Sequence, residues 1–127
     1  MIVYFLRHGL AANRTDWAAD DRLRPLTEQG RLRMEQIAKT IASLDLGLDL
    51  IITSPLTRAM ETARIVAKSL HLLNMLVDDE RLAPGFDVNA LLEVLKSHPD
   101  VETVMLVGHE PDFSGTVSAL SGGTRVL

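Results

Sequence analysis

No cysteine occurs at any of the 127 positions, which excludes a disulfide framework and thiolate chemistry alike. The chain also lacks any apolar run near the roughly 20 residues that cross a bilayer. Its short N-terminal run, Val3 to Leu6, has neither the length nor the flanks of a signal peptide. A cytoplasmic location is therefore expected, with no membrane partner. Basic residues are not in surplus: 13 Lys and Arg stand against 17 Asp and Glu, a formal net charge of -4 with a pI near 5.5. That balance argues against a nucleic-acid-binding face and leaves room only for local basic pockets. Internal repeats and low-complexity tracts are absent.

What is present is the composition of a globular protein, with 46% hydrophobic residues, 24% charged and a mean hydropathy of +0.13. The length predicts a single domain over residues 1–127. Ile2 to Leu6 reads as a strand that is apolar on both faces, which suits a central parallel strand covered by helices on either side. A polar loop from Ala11 to Pro25 leads to Thr27, a plausible N-cap for a helix whose face is Met34, Ile37, Ala38, Ile41 and Leu44. Leu48 to Thr53 reads as a second strand. Ser54 and Pro55 then open a helix to about Leu70, with Met60, Ala63, Ala67 and Leu70 inward. Met75 to Val77 gives a third strand, Val88 to Ser97 a helix with Leu91, Leu92 and Leu95 inward, and Thr103 to Val107 a fourth strand. A last helix starts near Pro111 or Asp112. This alternation predicts an α/β fold: a mostly parallel central sheet flanked by helices on both faces.

In such a sheet, ligands bind beyond the carboxyl ends of the strands. The first strand ends at Arg7 and His8, the second at Ser54 with Arg58 in the following first turn, and the fourth at Gly108 and His109. Two guanidinium groups offer planar forks matched to phosphate oxygens, and the helix start near Arg58 adds N–H groups and a favourable dipole. One imidazole suits a nucleophile and the other a donor to the same anion, which outlines a phosphoryl-transfer site. Each residue alone has a plainer reading. Arg7 with His8 could be a strand end capped by an ion pair, Arg58 a solvated helix residue, and His109 a structural histidine. Their joint placement favours the catalytic reading. His71 and His98 lie near helix ends and read as structural. "LSGG" and "RPL" read as turn chemistry, with Arg24 a further candidate at the border of the pocket.

"LRHG" closing the first strand, "SPLTRAMETA" opening the second helix and "VGHEP" closing the fourth strand together resemble the histidine phosphatase superfamily, with its phosphoglycerate-mutase-like fold. "RHGLAA" and the "RPLTEQG" of Arg24 to Gly30 are most similar to the SixA-type phosphohistidine phosphatases. The resemblance runs from about Ile2 to Gly123. It implies that His8 is transiently phosphorylated and that Arg7, Arg58 and His109 form the phosphate pocket, with His109 expected to be cationic. No metal and no cofactor are implied. A cation held by His8 and His109 would be repelled by the two arginines beside it.

Two departures from that family stand out. "RLAP" puts Pro84 where many members carry a general-acid glutamate; Asp79, Glu80 and Asp87 are near in sequence, but no spacing brings them to the pocket. The chain also ends at Leu127, soon after "SGGTRVL", where relatives continue into further sheet, so a C-terminally shortened domain is expected. The resemblance implies a phosphatase for phosphohistidine on a phosphorelay or phosphotransfer protein. A general phosphomonoesterase for sugar phosphates or nucleotides, and a non-catalytic phosphate-recognition module, are the alternatives. Neither the oligomeric state nor the physiological partner follows from the sequence.

Overall fold

The computed structural model describes residues 1–120; the Ser121–Gly123 part of the expected "LSGG" turn and the segment after it lie outside the described residues. Four parallel strands form one sheet: β1 (Ile2–Arg7), β2 (Leu50–Thr53), β3 (Leu76–Asp78) and β4 (Thr103–Gly108). Their order is β1-β4-β2-β3. The connecting helices are α1 (Glu28–Leu44), α2 (Thr57–Ser69), α3 (Val88–Lys96) and α4 (Asp112–Leu120).

Both faces of the sheet are covered, as the alternation predicts, and the period of two along each strand divides its side chains between two cores. Ile51, Met105 and Val107 pack under α1 and α2 against Met34, Ala38, Ala59, Ala63 and Ala67. Leu50, Ile52, Val104 and Leu106 face the other way, against Leu82, Phe86, Leu91, Val94 and Phe113. Alanines let α2 lie close on its side, whereas the second side is filled by aromatic rings: Phe113 meets Phe5 and Phe86 edge-on at centroid distances of 5.1 and 5.4 Å.

Several expectations need correction. Among the described residues β1 is an edge strand, not a central one. Its two apolar faces are real, with Val3 and Phe5 against one core and Tyr4 and Leu6 against the other. Apolar content on both faces reports coverage by helices, not position within the sheet. The second helix starts at Thr57 rather than at Ser54, after Leu56 as N-cap. Leu44 and Leu92 are exposed, and Val94 takes the inward place expected of Leu92. Met60 and Leu70 are only half-buried, while Ala59, Thr62 and Val66 are buried. The stripe is thus rotated by about one residue from the expected one. Thr27 does cap α1, its hydroxyl accepting from the Gly30 N–H at 2.9 Å. Gly30 is required there, because a Cβ would stand 2.2 Å from the Leu10 carbonyl oxygen.

Candidate active site

Parallel pairing in register brings the first and last strands to the same level: Arg7 lies opposite Gly108, and the His8 N–H continues the ladder onto the Gly108 carbonyl at 3.0 Å. His8 and His109 are therefore neighbours, their ring centroids 5.3 Å apart and their planes inclined by 62°. Gly108, just before His109, makes room for the Phe113 ring: a Cβ there would meet it at 2.7 Å and force it to shift. From the adjacent strand β2, Ser54 joins the ladder through its N–H to the Val107 carbonyl at 2.9 Å.

His8 Nδ1 lies 2.7 Å from the Gly9 carbonyl oxygen. A carbonyl can only accept, so Nδ1 carries the proton and Nε2 of the neutral ring keeps a free lone pair. Burial lowers the His8 pKa, and Arg58, Arg24 and Arg7 lower it further, against the opposing pull of the Gly9 carbonyl. Gly9 is itself pinned to α2, its N–H donating to Thr62 Oγ1 at 3.1 Å while that hydroxyl donates to the Arg58 carbonyl at 2.8 Å.

Arg58 is 3% exposed. Its Nη1 donates to the Asp21 carbonyl at 2.9 Å and its Nη2 to Asp21 Oδ2 at 3.2 Å. Its Nε–H is buried without a partner, among the described residues the one such side-chain atom. A buried guanidinium N–H without a partner leaves part of the arginine's desolvation uncompensated. α2 begins beside it with no side-chain cap hydrogen bond, so its dipole adds to the same field. Arg24 is also buried, with Nε on Asp21 Oδ1 at 2.9 Å and Nη1 on the Ala12 carbonyl at 2.7 Å. Asp21 is thus a shared tether for both arginines, and the Arg24 hydrogen bond chiefly holds its carboxyl below the usual range. Arg7 is exposed at the end of β1, near enough to act on His8.

His109 departs from expectation. It is 4% exposed, and burial, with His8 and Arg58 adding to it, brings its pKa down to about 4. It is neutral near pH 7, not cationic, because burial removes the water that would solvate the charge and Arg58 opposes it further. Its Nε2 meets Ser54 Oγ at 2.8 Å.

All of Arg7, His8, Arg24, Arg58 and His109 are therefore gathered at one edge. A cleft of about 620 Å³ opens beside His8, its walls including Arg7, Arg24, Arg33, Met34 and Glu110. Asp21, Ser54 and Thr62 are additions that sequence reasoning did not single out as site residues. Asp21 signals itself only as a carboxylate three residues before Arg24. The carboxylates near Pro84 are engaged elsewhere: Asp79 with Arg81, Glu80 with Arg22, and Asp87 as the N-cap of α3. Pro84 itself is exposed. Glu110 has both oxygens taken, one by the Ser114 N–H at 2.9 Å and the other by the Ser114 hydroxyl. His71 and His98 follow α2 and α3, at the opposite end of the sheet.

The family model of the histidine phosphatase superfamily (branch 1) matches residues 3–83. An uncharacterized protein of Picosynechococcus sp. is 40% identical over 126 residues, 97% of this chain and 74% of that protein. Phosphohistidine phosphatase SixA of Escherichia coli K12 is 30% identical over 125 residues, 97% of this chain and 76% of that one. The solved structure of the protein histidine phosphatase SixA complexed with tungstate superposes with a TM-score of 0.81 at 28% identity, covering 93% of this chain and 75% of that one.

Proposed function

This chain belongs to the histidine phosphatase superfamily as a SixA-like phosphatase, and we propose that it hydrolyses phosphohistidine on a protein substrate through a phosphoryl group carried on His8. The observation that carries this reading is the lone pair of His8 Nε2, freed by the Nδ1–H bond to Gly9, at a strand end where Arg58, Arg24 and Arg7 all act on the ring.

In the first step Nε2 of His8 attacks phosphorus; the P–Nε2 bond forms as the bond to the leaving group breaks, and the leaving group departs with that electron pair. Arg58 and Arg7 neutralise the equatorial oxygens, with Arg24 at the border, and the His109 ring donates one further hydrogen bond. Asp21 accepts one N–H from each of Nη1 and Nη2 of Arg58 and so fixes the orientation of the guanidinium. In the second step water attacks phosphorus, the electron pair returns to Nε2, and a proton passes to solvent with inorganic phosphate. Tungstate is a tetrahedral oxyanion like phosphate, so its presence in the structure of a relative supports an anion site of this shape.

Substrate class follows from the leaving group. An alkyl phosphate expels an alkoxide, for which a placed general acid is worth about 10² to 10⁴ in rate. Pro84 stands at the family's acid position, and the carboxylates around it are tied to other partners. A phosphohistidine expels a neutral imidazole with a conjugate-acid pKa near 6.5 and needs little protonation. The test is kcat/KM against leaving-group pKa. A steep series, phosphohistidine above aryl phosphates above alkyl phosphates, is expected. A flat profile across phenols and alcohols contradicts the phosphohistidine assignment and favours a general phosphomonoesterase.

A further inference from the structure

Ser54 ends the buried strand β2 and is itself fully buried, so its hydroxyl costs free energy unless both of its roles are satisfied. One lone pair is taken by the Leu56 N–H at 3.2 Å. The other partner of Oγ among the described residues is His109 Nε2 at 2.8 Å. A hydroxyl hydrogen has then one acceptor to go to, the Nε2 lone pair. If Nε2 carried the proton instead, the serine hydrogen would be sealed in the interior with nothing to bind. The neutral ring therefore carries its proton on Nδ1. That nitrogen has no hydrogen-bond partner among the described residues.

We propose that Ser54 is a positioning residue that fixes the Nδ1–H tautomer of His109, so that a neutral imidazole presents a fixed hydrogen-bond donor to the phosphoryl oxygens. This assignment rests on the phosphatase reading above and deepens it. A rotating or mixed-tautomer ring would offer a lone pair to the anion part of the time, which repels where a donor attracts. Ser54 also joins the two halves of the anion site: its hydroxyl accepts from the N–H of Leu56, the N-cap of α2, whose first turn carries Arg58. The serine thus locks ring and helix start in one hydrogen-bonded unit, an arrangement in which the second partner sets which nitrogen of a histidine is the donor.

The experiment records long-range ¹H–¹⁵N correlations of histidine-labelled protein at neutral pH, with His109→Gln used to assign the signals, in wild type and in Ser54→Ala, each with and without sodium tungstate. The wild-type His109 is expected to show a protonated Nδ1 and an unprotonated Nε2, and tungstate to shift the Nδ1 resonance. Ser54→Ala is expected to lose the single tautomer and to lower kcat on an aryl phosphate about tenfold with KM little changed. A protonated Nε2 in the wild type overturns the proposal even if Ser54→Ala fails to fold. So does an Nδ1–H tautomer that Ser54→Ala leaves intact. If the tautomer depends on Ser54 but tungstate leaves His109 unmoved, the role of Ser54 stands and the phosphate reading on which it rests falls.

Discussion

The two ends of the same strands are built on opposite terms. At the carboxyl end Arg24, Arg58, His109, Ser54 and Thr62 are buried, and an arginine N–H is left without a partner. At the amino end the charged residues stay in water and serve the local backbone. Asp49 is exposed and accepts the Glu102 and Thr103 N–H groups, both at 3.0 Å, which ties the start of β4 to the start of β2. Asp45, in the left-handed region at φ 50°, merely ends α1. Taking charges out of water costs several kcal/mol per ion unless compensated. One end accepts that cost and, among the described residues, leaves part of it uncompensated. The other avoids it. The difference is what the proposed reading requires, with the phosphoryl site at the carboxyl end.

The largest effect that can break this contrast is removal of the nucleophile. His8→Ala is expected to lower kcat by about 10⁴-fold or more while the melting temperature changes little, because the residue is half-buried at a strand end. Substantial activity in that variant contradicts the covalent route. Arg58→Ala comes next, with an expected loss of about 10² to 10³ in kcat/KM from the missing charge-assisted contacts. Arg58→Lys should recover little of it, since a point charge cannot replace the fork that spans Asp21 and the anion. A loss below threefold would remove Arg58 from the pocket.

Acid should damage the carboxyl end first. The folded-state pKa of His109 is about 4, and that of His8 is also lowered, against an unfolded value near 6.5. Between those values the unfolded chain binds more protons than the native one, so stability is full above pH 6.5 and falls as the pH drops toward 4. For His109 the loss is of order 2–3 kcal/mol over that window. Urea midpoints at pH 7.5 and 4.5 check this, with His109→Gln expected to flatten the slope. The smallest effect sharpens the comparison from the other side. Asp49→Ala should cost about 1 kcal/mol of stability and leave kcat/KM unchanged. A loss of activity there would mean that the two ends are not separable.

Much of the carboxyl end was legible because chemistry-bearing residues stand where apolar runs stop, as Arg7 and His8 do after Leu6 and His109 after Gly108. Parallel register then does the rest, since it brings unconnected strand ends to one level. Less legible was the sheet order. Side chains on β1 report that both faces are covered, whereas an edge differs from a centre only in backbone pairing, which leaves no mark on residue type. The neutrality of His109 was hidden as well, because it comes chiefly from burial, which only the packing of separate segments around the ring creates. Ser54 reads in sequence as a helix cap before Pro55, and its bond to His109 spans 55 positions. Asp21 lies in a loop that no periodicity describes, although its two arginines depend on it.

The most direct measurement is a rapid alkaline quench of the enzyme within its first turnover of a phosphohistidine protein, followed by peptide mapping of the acid-labile phosphoryl group. The account predicts a phosphoryl group on His8 alone, bonded at Nε2, formed before inorganic phosphate appears and absent from His8→Ala. Phosphate released at the full rate with no phosphoryl group recovered on His8, or with the group on His109 instead, would contradict it.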